Sequence, residues 1–344
     1  MRRTLTLLSG WLALTSAGPA PEPVNLDLIL SDALPPRLSD FAFFADAAAT
    51  RPNARVELYT LQTPLFSDYA EKYRYLYVPP GEAAGYRAQG ILDLPVGSAL
   101  IKSFGYPPDL RAPEQGVRLL ETRILLHRPS GWVALPYVWN ADGTDAELKR
   151  AGKRLDVAWT HLDGTTKSIS YAVPNANQCK GCHERSGALV PVGPSARNLN
   201  HEGQLQRLAA AGLLDRAPAD APSLPRWDDA ALPLEARARA YLDVNCANCH
   251  SRSGPASNSG LYLSYDETDP VALGLYKRPV AAGRGSGGFA FAIEPGAPER
   301  SILIHRMKST EPGVAMPELG RATVHAEAVA LLSDWIAAMP AEVE

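Results

Sequence analysis

The chain has 344 residues, 34 Lys and Arg against 37 Asp and Glu, and a formal net charge of −3. This near-neutral balance, without a clustered basic face, argues against nucleic-acid binding, and an apolar fraction of 46% excludes disorder as the overall state. The length predicts two or three domains. Four cysteines are too few for a disulfide scaffold.

The N-terminus has the layout of a secretory signal peptide. Met1-Arg2-Arg3 is a short positive region, and the apolar run from Leu5 to Ala17 ends in small residues. An uncleaved N-terminal anchor is the alternative, but the run is short for a membrane span. We therefore predict a signal peptide over residues 1–17 and a periplasmic mature protein without a transmembrane segment.

The next part of the chain has strand character. Short apolar and aromatic runs, such as residues 73–78, 99–104 and 132–139, are separated by turns rich in Pro, Gly and Asp. This pattern predicts a β-rich, antiparallel β-sandwich-like domain over residues 38–173.

Helical spacing replaces the strand pattern after residue 174. Apolar residues recur every three or four positions in residues 204–214, 234–244 and 325–339. We predict a multidomain α+β protein in which the N-terminal β-sandwich-like domain is followed by a mainly α-helical part.

All four cysteines belong to two Cys-x-x-Cys-His motifs, residues 179–183 and 246–250. This spacing is typical of c-type haem attachment, where two thiols bind the haem vinyl groups and the adjacent histidine binds the iron. A zinc site would need four ligands in one cluster, with the two pairs usually about 15–20 residues apart. A redox dithiol would be expected in a βαβ context. We therefore predict two covalently attached c-type haems, bound through Cys179, Cys182, Cys246 and Cys249, with His183 and His250 as iron ligands.

A second axial ligand is predicted for one iron only. Met316 precedes Pro317, which favours an extended loop, and it lies between the second motif and the last helix. We assign it to the second iron, since Met307 and Met339 fit apolar core positions better. The sixth ligand of the first iron stays open among His127, His161, His201, His305 and no ligand at all.

Several stretches around these motifs extend the pattern, among them residues 63–69, 131–140, 193–200 and 316–321. With them the chain resembles a family of exported bacterial dihaem c-type cytochromes. The resemblance implies a first haem-binding segment and linker over residues 174–231. It also implies a mainly α-helical cytochrome c-like domain with the second haem over residues 232–344.

The predicted function is electron transfer by a periplasmic dihaem c-type cytochrome that serves a redox partner protein. The alternative is a dihaem peroxidase-like oxidoreductase with an open first haem. Such an enzyme needs an acid–base group above the iron, and the sequence offers no motif for one. We therefore predict no catalytic residue, and an electron carrier in preference to an enzyme.

Overall fold

A computed structural model describes residues 23–281 and 283–341, so the predicted signal peptide lies outside the described residues. The main feature is a six-stranded antiparallel sheet in which every strand pairs with the next one in the chain. Its strands are β1 (Val56–Tyr59), β2 (Glu71–Tyr77), β3 (Ala99–Tyr106), β4 (Arg118–Arg128), β5 (Gly131–Trp139) and β6 (Ala146–Leu148). Two short ribbons accompany it: β7 (Lys153–Thr160) with β8 (Thr166–Val173), and β9 (Glu184–Arg185) with β10 (Ala188–Leu189).

One face of the sheet is apolar because alternate residues of each strand point to the same side. Tyr75 pairs with Ile101, which pairs with Ile124, and all three are buried in one core cluster. The N-terminal segment covers this face. It contains α1 (Leu26–Leu30) and the stacked rings of Phe41 and Phe43, whose centroids are 5.2 Å apart.

The opposite face is covered by later parts of the chain. At one end the β7–β8 ribbon packs Trp159 and Tyr171 against Phe104. At the other end Leu199 and Leu205 lie in a cluster with the sheet residues. They belong to α3 (Ala196–Leu199) and α4 (Gln204–Ala210). The predicted β-sandwich-like arrangement is therefore wrong, because a single meander is covered by a ribbon and helices rather than by a second large sheet.

The C-terminal part has its own core, formed mainly where α5 (Leu234–Asn245) packs on α8 (Ala326–Ala337). The prediction that this part is mainly α-helical is wrong, since helix makes up only 24% of the structure. Prolines and glycines confine the chain between α5 and α8 to turns and short helices. The remaining helices are α2 (Ala176–His183), α6 (Pro270–Leu273) and α7 (Ile302–Lys308). None of the helices in the described ranges is long and apolar enough to cross a membrane.

The C-terminal part is joined to the sheet through the buried carboxylate of Asp68. Asp68 accepts hydrogen bonds from the backbone N–H of Ala322 at 2.7 Å, the N–H of Thr323 at 2.8 Å and the Thr323 hydroxyl at 2.8 Å. The backbone carbonyl of Asp68 accepts another from the Tyr106 hydroxyl at 2.6 Å. Asp68, which lies three positions before β2, thus connects β3 to the loop that precedes α8.

We expect Asp68→Ala to lower the free energy of unfolding by about 2–4 kcal/mol, because it leaves two backbone N–H groups without their acceptor. Asp68→Asn should cost less than half as much, since its amide oxygen still accepts. Urea unfolding measures both values. Asp220→Ala, at an exposed position, is the control, and equal unfolding midpoints for Asp68→Ala and this control would contradict the assignment.

Candidate functional site

The first motif lies on α2, whose start is set by a capping box. Asn175 Oδ1 accepts from the backbone N–H of Gln178 at 2.8 Å, and Gln178 Oε1 accepts from the backbone N–H of Asn175 at 2.9 Å. Cys179 and Cys182 are three positions apart on this helix and therefore share one side of it. Both are half-buried and free of disulfide bonds.

The second motif begins where α5 ends. Asn245 is buried, accepts a hydrogen bond from the backbone N–H of Phe66 at 2.8 Å and donates one to the carbonyl of Tyr241 at 3.1 Å. The backbone then turns, and the N–H of His250 bonds the carbonyl of Cys246 at 2.9 Å. Asn245 therefore shapes the entry into the motif and attaches it to the segment before β2.

The two motifs meet in space, although the sequence separates them widely. The thiols of Cys182 and Cys249 lie next to each other, close enough for each to shift the pKa of the other. Beside this contact, the Arg185 guanidinium donates to the backbone carbonyl of Asn248. Asn248 Nδ2 in turn lies 3.8 Å from Cys249 Sγ. The predicted attachment residues thus form one group around Cys182 and Cys249 rather than two separate pairs.

The four thiols differ in acidity. The neighbouring Cys249 thiol lowers the pKa of Cys182, and the charges of Arg123, Lys102 and Arg185 lower it further against the effect of burial. The interaction with Cys182, together with burial, raises the pKa of Cys249. Cys182 is therefore the thiol of this pair that ionises first.

The other two cysteines, Cys179 and Cys246, are weaker acids than Cys182. Burial raises the pKa of Cys246 to about 12. Burial also raises the pKa of Cys179, although the Arg123 charge opposes it. Neither is a thiolate at neutral pH, which leaves Cys182 as the reactive sulfur of the group.

Both motif histidines are neutral at pH 7. Burial lowers the pKa of His183 and of His250 to about 4 in each case. Their Nδ1 atoms are engaged locally, that of His183 with the carbonyl of Val190 at 2.9 Å and that of His250 with the hydroxyl of Ser259 at 3.2 Å. These contacts fix the ring orientations.

Met316 lies half-buried in a loop, as its Met-Pro sequence predicts. Its backbone N–H bonds the carbonyl of Arg306 at 3.1 Å. The same loop reaches the first motif, because a Cβ atom built on Gly181 would lie 3.0 Å from Leu319. Met307 and Met339, by contrast, pack in or against the C-terminal core, in agreement with the sequence analysis.

The four candidate histidines for the first iron have partners of their own. His127 stacks on Trp132 with centroids 4.5 Å apart, and both line a cavity of about 260 Å³. The other three contact different neighbours. His161 packs against Tyr69, His201 lies 3.3 Å from the Thr60 hydroxyl, and His305 packs against Phe289.

The prediction of two covalently attached c-type haems is wrong, because the arrangement of donor atoms contradicts it. Within the ranges that the structure describes, no group of three or more His, Cys, Asp and Glu side chains is placed to hold a metal ion. Cys182 of the first motif and Cys249 of the second also lie beside each other, close to the hydrogen bond from Arg185 to the Asn248 carbonyl. The residues present thus do not fit two separate iron centres.

Sequence reasoning missed a set of basic residues beside this group. Lys102 and Arg123 lie on the central strands of the sheet, and their charges act on Cys182 and His183. The available signal was Lys102 itself, a charged residue inside the apolar run of residues 99–104.

A scan against protein-family models finds no match, and searches of curated proteins and of solved structures find no similar protein. The resemblance to exported dihaem cytochromes therefore stays a prediction from the sequence.

The order of thiol acidity predicts the order of alkylation. We expect iodoacetamide at pH 7 to modify Cys182 at least tenfold faster than Cys246, because the thiolate is the reactive form and Cys182 ionises at the lower pH. Peptide mass spectrometry over a time course measures the rates. The Arg185→Gln variant should slow the reaction at Cys182. Equal rates at the two cysteines would contradict the predicted order.

Proposed function

We propose that this protein transfers electrons in pairs through Cys182 and Cys249, at the place where its two Cys-x-x-Cys-His motifs meet. The closeness of these two thiols, beside the hydrogen bond from Arg185 to the Asn248 carbonyl, supports the proposal most directly. The pair combines a sulfur of low pKa with one of high pKa, the combination that thiol–disulfide exchange uses. Electron transfer to a redox partner thus remains the proposed role, and the periplasm its proposed compartment.

The proposed reaction begins with the Cys182 thiolate. It attacks one sulfur of a partner protein's disulfide, forms a mixed disulfide and releases the partner's other sulfur as a thiolate. That thiolate takes the proton of Cys249, which then attacks the Cys182 sulfur and releases the second partner thiolate. The protein loses two electrons and forms the Cys182–Cys249 disulfide, while the partner's disulfide is reduced by two electrons.

The surroundings support this order of events. The cations Arg123, Lys102 and Arg185 stabilise the Cys182 thiolate before the attack. Arg185 also bonds the Asn248 carbonyl, so the same side chain keeps Cys249 close to Cys182. Cys249 stays protonated until the leaving thiolate accepts its proton. The haem peroxidase alternative required an open haem iron and is not retained.

We expect oxidation with glutathione disulfide to form one cross-link, between Cys182 and Cys249, and reduction to consume two electrons per chain. Peptide mapping after rapid alkylation identifies the cross-link, and a redox titration counts the electrons. Cys182→Ser and Cys249→Ser should each abolish the two-electron step.

Cys179→Ser is the matched control and should retain the cross-link and the titration. Two outcomes would overturn the proposal. One is disulfides confined to Cys179–Cys182 and Cys246–Cys249. The other is covalent haem on the four cysteines, detected by intact mass and the pyridine haemochrome spectrum.

A further inference from the structure

Three basic residues form a row across the centre of the main sheet. The strand register pairs Arg74 on β2 with Lys102 on β3, and Lys102 with Arg123 on β4. Directly paired residues of antiparallel strands lie on the same face, so the three side chains are neighbours. Lys72 lies on the same face of β2, two residues before Arg74, and pairs with Phe104. Like charges in paired positions destabilise a sheet, so we expect a negatively charged group to lie against the row.

Two members of this row, Arg74 and Lys102, are poorly satisfied by the protein. Arg74 is only 7% exposed, and its Nη2 atom is buried without a hydrogen-bond partner. Its Nη1 atom donates to the Lys72 carbonyl at 3.3 Å. Lys102 has a ring contact, its Nζ atom lying 4.8 Å from the Phe104 centroid. Across residues 23–281 and 283–341, neither Arg74 nor Lys102 forms an ion pair with a carboxylate.

The nearest buried carboxylate is already committed. Glu121 is fully buried and accepts from Arg123 Nε at 2.9 Å and Nη2 at 2.5 Å. It also accepts from the Tyr171 hydroxyl at 2.5 Å. Glu71 and Asp68 act on Lys72 only through space. Arg123 is thus paired with a carboxylate, whereas, in the part of the chain that the structure describes, Arg74 and Lys102 are not.

We propose that the row of Arg74, Lys102 and Arg123 binds a small polyanion that carries at least two carboxylate or phosphate groups. Neighbouring strands are about 4.8 Å apart, so the backbones at the two ends of the row are about 10 Å apart, a span that suits a ligand with two anionic groups. The Arg74 guanidinium suits carboxylate or phosphate oxygens, and Arg123 can contribute through Nη1, since Glu121 engages its Nε and Nη2. The Arg123 side chain is 31% exposed, which opens the row to solvent at that end.

This proposal does not rest on the thiol exchange proposed above, although the row shares Lys102 and Arg123 with the surroundings of Cys182. Burial and the neighbouring cations lower the pKa of Lys102 well below its ordinary value. A bound anion would favour its charged form and provide an acceptor for the unpartnered Arg74 nitrogen. A bound anion would therefore supply a negative charge beside Lys102 and a hydrogen-bond acceptor for Arg74 Nη2.

The test is isothermal titration calorimetry of the full mature chain with three probes: citrate, pyrophosphate and acetate. We expect citrate or pyrophosphate to bind at one site per chain and acetate to bind at least tenfold more weakly. Tighter binding of citrate would indicate a carboxylate ligand, and tighter binding of pyrophosphate a phosphate ligand. Lys102→Met and Arg74→Gln should each weaken binding at least tenfold.

Lys153→Met, which removes an exposed lysine from β7, is the matched control and should leave binding unchanged. Circular dichroism establishes that each variant is folded, and Lys102→Met should fold because it replaces a half-buried charge by an apolar chain of similar length. Absence of polyanion binding to the unmodified protein would overturn the proposal, as would equal affinity in Lys102→Met and Lys153→Met.

Discussion

The segment just before β2 is the constraint on which the arrangement of the molecule depends. Within residues 60–68 the chain hydrogen-bonds to three later parts of itself. The backbone N–H of Thr63 bonds the Asn198 side chain at 2.8 Å, that of Phe66 bonds Asn245 at 2.8 Å, and Asp68 accepts from Ala322 at 2.7 Å. Asp68 has a φ of 49°, a conformation that Asp tolerates better than most residues. A short stretch of polar backbone therefore sets where the helices and the C-terminal part lie against the sheet.

The meeting of the two motifs follows from this constraint. Asn245 is the last residue before Cys246, so its bond to Phe66 places the second motif next to the chain that enters β2. The first motif is placed independently, because α2 directly follows β8 and contacts β5. Both motifs thereby reach one region of the sheet, where Cys249 and Cys182 lie beside each other. Sequence spacing between the motifs carries no information about this convergence.

The sequence was informative wherever the signal was local. Strand patterns in residues 73–78, 99–104 and 132–139 overlap β2, β3 and β5, and the helical spacing of residues 234–244 matches α5. The loop position of Met316 is an equally local feature. The sandwich and the mainly helical C-terminal part were wrong because they depend on strand pairing and on how turns interrupt a periodic pattern. Neither is set by a short stretch of residues.

The candidate site shows the same limit. Which residue types carry its chemistry was visible in the sequence, since all four cysteines occur in two identical spacings. The sequence did not show which sulfur is the stronger acid. The acidity of Cys182 depends on Arg123 and Lys102 from distant strands and on Cys249 from the other motif. The residues that tune the thiol are long-range neighbours and have no motif of their own.

The basic row and the thiol pair are electrostatically coupled because they share two cations. Lys102 and Arg123 lower the pKa of Cys182 and also belong to the proposed polyanion site. A polyanion bound to the row would offset their positive charge and so raise the pKa of Cys182, which decreases the thiolate fraction at neutral pH. By thermodynamic linkage the reverse also holds: ionisation of Cys182 weakens polyanion binding by the same factor. The fold thus places a reactive sulfur where the occupancy of a neighbouring charged site controls its reactivity.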